Sequence, residues 1–472
     1  MAVRGDDRAE IGMRGVDESH GKLLMIAYAF PPTGGPGVQR SAKFAKYLPR
    51  FGWLPTVWTV DEADGLPRDE TLCDDLPPEV TICPRASGSG IVAVRRSLRG
   101  FANARTGEGL SGIASRFARA VNWRVDQWVG ATLFPDDCIG WARRSVGPLL
   151  KLLSGESFEA LYSTFSPASN HWLALELKRR TGLPWVADFR DLWTDDCRYR
   201  ETSPQRRAAH RKLEQDILEQ ADAVIGVAPR QTQILAARVP TQPDKFITIT
   251  NGFDPDDFAD LDAFRPVRRD EFVLSFVGRF ALSQTSEEWF AALRSFVERL
   301  GPQAHRFVFR VVGFLNKTAQ AKLRGTGARC EFVGYLPHRD AIQAMCASDA
   351  LLLHAPTGPN GDSVICAKLF EYLAARRPIL LVGPKGGECE RIVRACAAGH
   401  AVTFSQRAIR AALSRLFEAW KQGELMPGAK QDRVRRYSRV ELTGQLAAVF
   451  DRVTGKASSG QSASTALEEC VR

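Results

Sequence analysis

The feature that most limits what this chain can become is a rhythm. Short, mostly apolar runs alternate with longer amphipathic stretches, and the alternation starts, breaks and starts again. In the first half the runs fall at 23–28, 56–60, 160–164, 185–188, 223–227 and 246–250. Runs this short and this apolar are strands buried on both faces. Amphipathic segments such as 39–50 and 170–181 lie between them. Strand and helix in alternation predict a parallel, doubly wound sheet with helices on each face, an α/β architecture. The rhythm breaks at the turn-rich Asn251-Gly252-Phe253-Asp254-Pro255 and resumes at 272–277, 307–312, 330–333, 350–354, 379–382 and 401–404. A chain of 472 residues is too long for one ordinary core, so two α/β domains follow each other, with a cleft between them as the favoured ligand site. The expected divisions are a loose polar arm at 1–21, a first domain at 22–253, a linker at 254–270, a second domain at 271–427, a helix within 428–454 and a disordered Ser-rich tail at 455–472.

Composition narrows the function classes. Apolar content of 44% and charged content of 25% are those of a soluble globular protein. The formal net charge of +10 favours anionic partners: nucleic acid, an anionic membrane or an anionic substrate. No zinc-finger spacing, helix-turn-helix signature or RNA-recognition motif is present, which argues against nucleic acid. Ten cysteines are scattered with no Cys-x-x-Cys pair, so no metal site is expected, and a reducing cytosol is. The first twenty residues are charged and polar, unlike a secretory signal, and no apolar run approaches the roughly 20 residues of a spanning helix. These features predict a cytoplasmic protein. Within an insertion at 91–141, Arg95, Arg96, Arg99, Arg105, Arg116, Arg119 and Arg124 are interleaved with Phe101, Leu110, Ile113 and Phe117. Such a basic amphipathic stretch reads either as a peripheral contact with the anionic inner face of a membrane, or as a solvated basic face closing over the cleft.

Segment 360–388 carries the densest chemistry. A polar turn at 359–363 is expected to open a helix bearing Lys368 and Glu371, followed by the strand 379–382 and a glycine-rich loop. Backbone N–H groups at a helix N-terminus, here Asp362, Ser363, Val364 and Ile365, can hold a phosphate. A carboxylate further in can accept hydrogen bonds from a sugar diol, each contributing roughly 1.5–3 kcal/mol. Phosphate site plus diol reader describes a nucleotide pocket. After the first strand, Gly34, Gly35 and Gly37 form a second loop at a ligand edge, where glycine lets the backbone approach a phosphate or sugar. The spacing is neither the dinucleotide fingerprint nor a Walker loop, and a tight strand-to-helix turn is the other reading.

Lys22-Leu-Leu-Met-Ile-Ala-Tyr-Ala-Phe-Pro-Pro with that loop resembles the N-terminus of glycosyltransferase family 4. Further matches follow in order: Ser163-Thr-Phe-Ser-Pro-Ala-Ser-Asn-His171, Leu183-Pro-Trp-Val-Ala-Asp188-Phe-Arg190-Asp191-Leu-Trp193, Thr250-Asn-Gly-Phe-Asp254, Phe276-Val-Gly278-Arg279, Gly334-Tyr-Leu-Pro337 and Lys368-Leu-Phe-Glu-Tyr-Leu ahead of Arg377-Pro378. The resemblance implies a GT-B fold: two Rossmann-like domains facing a cleft, with the last helix crossing back to the first. It implies sugar transfer from a nucleoside-diphosphate sugar to a hydroxyl acceptor, usually retaining and without metal or other cofactor. The donor would lie on the second domain and the acceptor, which could be lipid-linked, on the first. Cell-surface polysaccharide or glycolipid synthesis is a role of this kind.

By position, Glu371 looks like the family's ribose reader, and Lys368 could reach the donor phosphates. Arg279 matches the arginine that steadies the leaving diphosphate. Tyr335 and Leu336 resemble the base-binding edge. Asp188, Arg190 and Asp191 could orient an acceptor hydroxyl, or pair with one another. His171 reads as a packed histidine and His338 as the start of a helix. The sequence departs from the family at Ser363, where a sugar-reading glutamate is common, at Thr285, where a lysine is common, and at Arg190, where a histidine is common. Asp362 could replace the carboxylate and Lys368 the cation. A nucleotide-sugar epimerase of the same fold and a catalytically silent sugar-nucleotide-binding protein are the alternative functions.

Overall fold

The structure, a computed structural model, describes residues 20–63, 68–87, 133–201, 203–259, 270–282, 285–424 and 427–456. The arginines singled out in the insertion, nearly all of the N-terminal arm and the Ser-rich tail lie outside the described residues.

Two parallel sheets are present. The first holds β1 (Gly21–Ile26), β2 (Trp53–Val60), β3 (Thr81–Arg85), β4 (Phe158–Phe165), β5 (Trp185–Phe189), β6 (Ala223–Gly226) and β7 (Phe246–Thr248), in the order β3-β2-β1-β4-β5-β6-β7. The second holds β8 (Phe272–Val277), β9 (Phe307–Val312), β10 (Arg329–Gly334), β11 (Ala350–His354), β12 (Ile379–Val382) and β13 (Gly399–Val402), in the order β10-β9-β8-β11-β12-β13. Each order reverses once, between β1 and β4 and between β8 and β11. In a doubly wound sheet that reversal opens a crevice at the carboxyl ends of the strands, where ligands bind. The loops after β1 and β8 therefore face the functional region.

The central strands were legible because both faces are covered. Leu23, Met25 and Tyr162 pack on one side of the first sheet, and Leu24, Ile26 and Leu161 on the other. β3 has no such signature: it is a half-exposed edge strand containing Pro84, which an edge tolerates because its N–H is not needed there. It was not anticipated. β13 lies earlier than the run 401–404 implies, because Gly399 opens it at φ 151° with its α-carbon pressed on β12. A Cβ there would stand 2.1 Å from the Ile379 carbonyl oxygen.

The helix expected within 428–454 is broken. A short turn of helix, Gln431–Val434, and a 3₁₀ turn, Arg435–Tyr437, precede an extended Ser438. A new helix, Arg439–Thr454, then begins under a Ser438-x-x-Glu441 cap, in which the Ser438 side chain accepts from Glu441 N–H at 3.2 Å. The break turns the chain back to the first domain. There Leu442, Leu446, Val449 and Phe450 join the cluster of Leu23, Met25 and Tyr162. Full burial of such side chains stabilises by roughly 1.5–3 kcal/mol each.

The chain thus crosses between domains twice, and the crossings lie side by side. Phe253 and Ser438 form a parallel bridge, Phe253 N–H donates to Tyr437 O at 3.1 Å, and Arg439 N–H donates to Phe253 O at 2.8 Å. Gly252 is required by this approach, since a Cβ there would fall 2.2 Å from Tyr437 O. The linker expected at 254–270 begins as an ordered 3₁₀ turn, Pro255–Phe258, with Phe258 buried against the second domain's core.

Candidate functional site

The second-domain half of the site is built on the switch point between β8 and β11. The turn Gly278-Arg279 leaves β8, and segment 355–367 leaves β11. The expected helix begins at Lys368, not at the polar turn: Gly361–Ser363 is a single 3₁₀ turn, and extended chain separates it from the helix Lys368–Ala374. Glu371 therefore sits in the first helical turn. Its carboxylate accepts from Lys368 Nζ at 2.6 Å, with Lys368 a third exposed and Glu371 more covered. Next to Glu371, the buried Tyr372 hydroxyl accepts from Val277 N–H at 2.8 Å. That bond ties the helix to the end of β8, two residues before Arg279. Arg279 itself is exposed and stacks on Phe314, 5.3 Å from the ring centre. Tyr335 is 71% exposed and Leu336 half-buried, on the loop after β10.

The polar turn does not present a row of N–H groups to a ligand. Gly361, Ser363 and Val364 N–H donate to Gly358, Asn360 and Gly361 carbonyls at 3.0, 3.0 and 3.3 Å, closing the turn on itself. Ser363 is fully buried and its hydroxyl donates to Asn360 O at 2.7 Å, so it reads no sugar. Ile365 is buried in the apolar core. Asp362 faces the other domain and pairs with Arg230 at 2.7 Å. Arg230 opens the helix Pro229–Ala236, and its N–H donates to the buried Glu388 at 3.1 Å. Asn360 Nδ2 donates to Asp195 O at 2.8 Å. The two domains are thus clasped at this edge of the cleft. A cavity of about 460 Å³ lies there, lined by Arg230, Thr357, Asn360, Asp362 and Phe404 among others, but not by Arg279, Lys368 or Glu371.

In the first domain the expected acceptor residues part company only at Asp188, since Arg190 and Asp191 do pair with each other, at 3.7 Å. Asp188 is fully buried and receives both Arg40 Nε at 2.7 Å and Nη2 at 3.0 Å, plus the Tyr162 hydroxyl at 2.5 Å. Arg40 also donates to Ile249 and Thr250 carbonyls at 2.9 and 2.7 Å. Burial pulls the Arg40 guanidinium down, but Asp188 outweighs it and the net shift is upward. The catalytic role expected for Asp188 is corrected: it is a structural counter-ion, unable to reach an acceptor. Arg190 donates to the Gly37 carbonyl, and its guanidinium fills the space where a Gly37 Cβ would stand, 2.8 Å away. Gly37 therefore receives an arginine, not a phosphate. Gly35, at φ 114°, caps the helix Pro36–Tyr47, while Gly34 is buried. Asp191 pairs with Arg198 at 2.6 Å. His171 is buried beside Ser163 at 2.7 Å, and burial holds its ring neutral, with a pKa near 3.

A charged cluster that sequence reading missed lies at the hinge. Asp254 receives Lys43 at 2.5 Å, Lys46 at 3.0 Å and the Tyr47 hydroxyl at 2.5 Å. Burial alone would raise its pKa, but Lys43 and the other donors pull it to about 2. Asp257 continues the cluster to His338 at 2.9 Å, so His338 both starts its helix and crosses to the hinge. Burial lowers the His338 pKa, and Asp257 with Glu371 raises it by more. Arg439, the first residue of the closing helix, is 5% exposed, and its Nη1 has no hydrogen-bond partner among the described residues. The only sequence signal for these residues was the turn at 251–255.

Residues 34–252 match the family described as "Glycosyl transferase 4-like domain". No curated protein sequence matches the chain. Among solved structures, sucrose-phosphate synthase from Thermosynechococcus elongatus superimposes with a TM-score of 0.58 at 14% identity, covering 93% of this chain and 100% of that one. WaaG, a glycosyltransferase involved in lipopolysaccharide biosynthesis, gives 0.52 at 15% identity, with 93% and 100% covered. A putative UDP-N-acetylglucosamine 2-epimerase from Listeria monocytogenes gives 0.52 at 11%, with 92% and 97% covered. At such identities the likeness is one of fold: two Rossmann-like domains in the GT-B arrangement. The chain has the sequence signature of a glycosyltransferase in its first domain and the fold of one over both. Among the described residues, no helix is long and apolar enough to cross a membrane.

Proposed function

We propose that this protein transfers a sugar from a nucleoside-diphosphate sugar to a hydroxyl acceptor. The observation that carries the reading is the tie between Tyr372 and Val277, which brings the Glu371–Lys368 pair and the Arg279 turn to the reversal point of the second sheet. There Glu371 reads the ribose diol. Lys368, released from Glu371 as the diol binds, turns to the diphosphate together with Arg279. As the anomeric C–O bond breaks, charge grows on the diphosphate, and two cations beside it lower the barrier. The acceptor oxygen bonds to the anomeric carbon. With Asp188 locked to Arg40, the departing diphosphate takes the acceptor's proton. Transfer with retention and without metal is part of this proposal, as are a lipid- or polysaccharide-linked acceptor and a peripheral contact with anionic membrane.

Thermal-shift screening against nucleotides and nucleotide sugars tests the donor site, because a ligand that binds only the folded state raises the melting temperature. A nucleotide-release assay with and without acceptors follows. Release that depends on an acceptor supports transfer. Donor conversion without any acceptor favours the epimerase, and no response to any nucleotide sinks the proposal.

A further inference from the structure

Arg439 is the least explained charge among the described residues. Its backbone is fully used: the N–H donates to Phe253 O at 2.8 Å, and the carbonyl accepts from the Thr443 hydroxyl at 2.6 Å. Any residue could make the first of these bonds and start the helix. The side chain is another matter. It is 5% exposed, yet Nη1 meets no acceptor among the described residues. A buried cation normally has a paired, hydrogen-bonded anion, because the lost hydration is otherwise uncompensated.

The carboxylates around it are committed elsewhere. Asp188, from β5, is held by Arg40 and Tyr162. Asp254, at the hinge, is held by Lys43, Lys46 and Tyr47. Glu371, on the helix Lys368–Ala374, is held by Lys368. Arg40, from the helix Pro36–Tyr47, repels it. Burial first and Arg40 second push the Arg439 guanidinium down to about 9, against the pull of Glu371, Asp254 and Asp188. Its position is also informative. Tyr437, two residues earlier, packs on Phe370 with ring centres 5.3 Å apart, and Phe370 adjoins Glu371. Glu371 on that helix is among the charges that reach the Arg439 guanidinium.

We propose that Arg439 is an anion-binding residue at the floor of the cleft, whose guanidinium donates to a phosphate oxygen of a bound ligand. The inference rests on the proposed function in that the ligand is one that enters this cleft. The phosphate belongs either to the donor's diphosphate or to a phosphorylated acceptor. An uncompensated buried cation is unfavourable in the free protein and becomes favourable when the anion arrives. Such a stability sacrifice is expected at binding sites.

The test uses full-length wild type, Arg439→Met and Arg439→Lys, with UDP, GDP and glucose 6-phosphate as probes in thermal-shift and calorimetric titrations. Methionine fills much of the same space without charge. Arg439→Met is expected to melt at or above the wild-type temperature when free, and to bind the effective probe about tenfold or more weakly. Arg439→Lys is expected to keep the wild-type melting temperature and recover part of the binding. Loss confined to the nucleotides assigns the phosphate to the donor, and loss confined to glucose 6-phosphate assigns it to an acceptor. Undiminished binding in both variants overturns the inference while leaving the proposed function standing. A melting temperature in Arg439→Met well below wild type makes the residue structural and also overturns it. If that variant does not fold, unchanged binding by Arg439→Lys has the same force. A wild-type protein that answers to no nucleotide and no sugar phosphate overturns the proposed function first, and this inference with it.

Discussion

At the scale of single residues, two carboxylates differ in what can reach them. Glu371 is partly covered and its partner is a flexible lysine, so a ligand can compete for it. Glu371→Ala should lower kcat/KM about 10- to 100-fold, the worth of one or two hydrogen bonds to a charged acceptor, with little change in melting temperature. Steady-state kinetics on the active donor would show it, and a change within about twofold would contradict the ribose role. Asp188 behaves otherwise. Asp188→Ala strands Arg40 in the interior and should cost about 3–5 kcal/mol of stability. Urea unfolding measures that loss, and activity per folded molecule should stay within about threefold of wild type. The Lys368–Glu371 pair was legible because both members lie on one helix at neighbouring positions. Asp188 was not, because its counter-ion Arg40 stands 148 residues away in sequence and only the fold brings them together. Arg439 was hidden for the same reason: its burial is created by the second crossing of the chain.

At the scale of elements, the hinge carries a buried charged cluster beside its apolar packing. Asp254 has a folded pKa near 2, below its ordinary 3.8. Its contribution is therefore complete above about pH 4 and is lost as pH falls toward 2, on the order of 2 kcal/mol in all. The gap in unfolding free energy between wild type and Asp254→Asn should be larger at pH 5 and shrink by about half at pH 3. A gap that does not shrink at pH 3 would show that Lys43, Lys46 and Tyr47 do not act through this carboxylate. Most strands of the two sheets were readable from their short apolar runs, apart from β3, whose edge position needs no apolar run. The turn at 359–363 was misread as a helix start because its small polar residues fit an N-terminus equally well. The actual helix is set by Tyr372 reaching β8, a tertiary contact.

At the scale of the whole molecule, the clasp at Arg230 links the loop after β11 to the first domain. Its ion pair with Asp362 is half exposed on the arginine side and contributes little to stability, commonly about 0–1 kcal/mol. Arg230→Ala should nonetheless favour the open cleft, raising the donor KM several-fold, on the order of 3- to 10-fold. Small-angle scattering should report a larger radius of gyration for the free variant, with the melting temperature within a few degrees of wild type. An unchanged radius and KM would mean that Asp362 and Arg230 meet without governing closure.

The closing helix Arg439–Thr454 has a consequence for how the protein is made. Leu442, Leu446 and Phe450 complete a core whose other walls, Leu23, Met25 and Tyr162, leave the ribosome long before them. The first domain is synthesised first yet must wait, one apolar face uncovered, until the entire second domain has emerged. Domains commonly fold in the order of their synthesis. Here the last packing step of the first domain follows synthesis of the second, and the face that Leu442 to Phe450 cover stays open until they emerge.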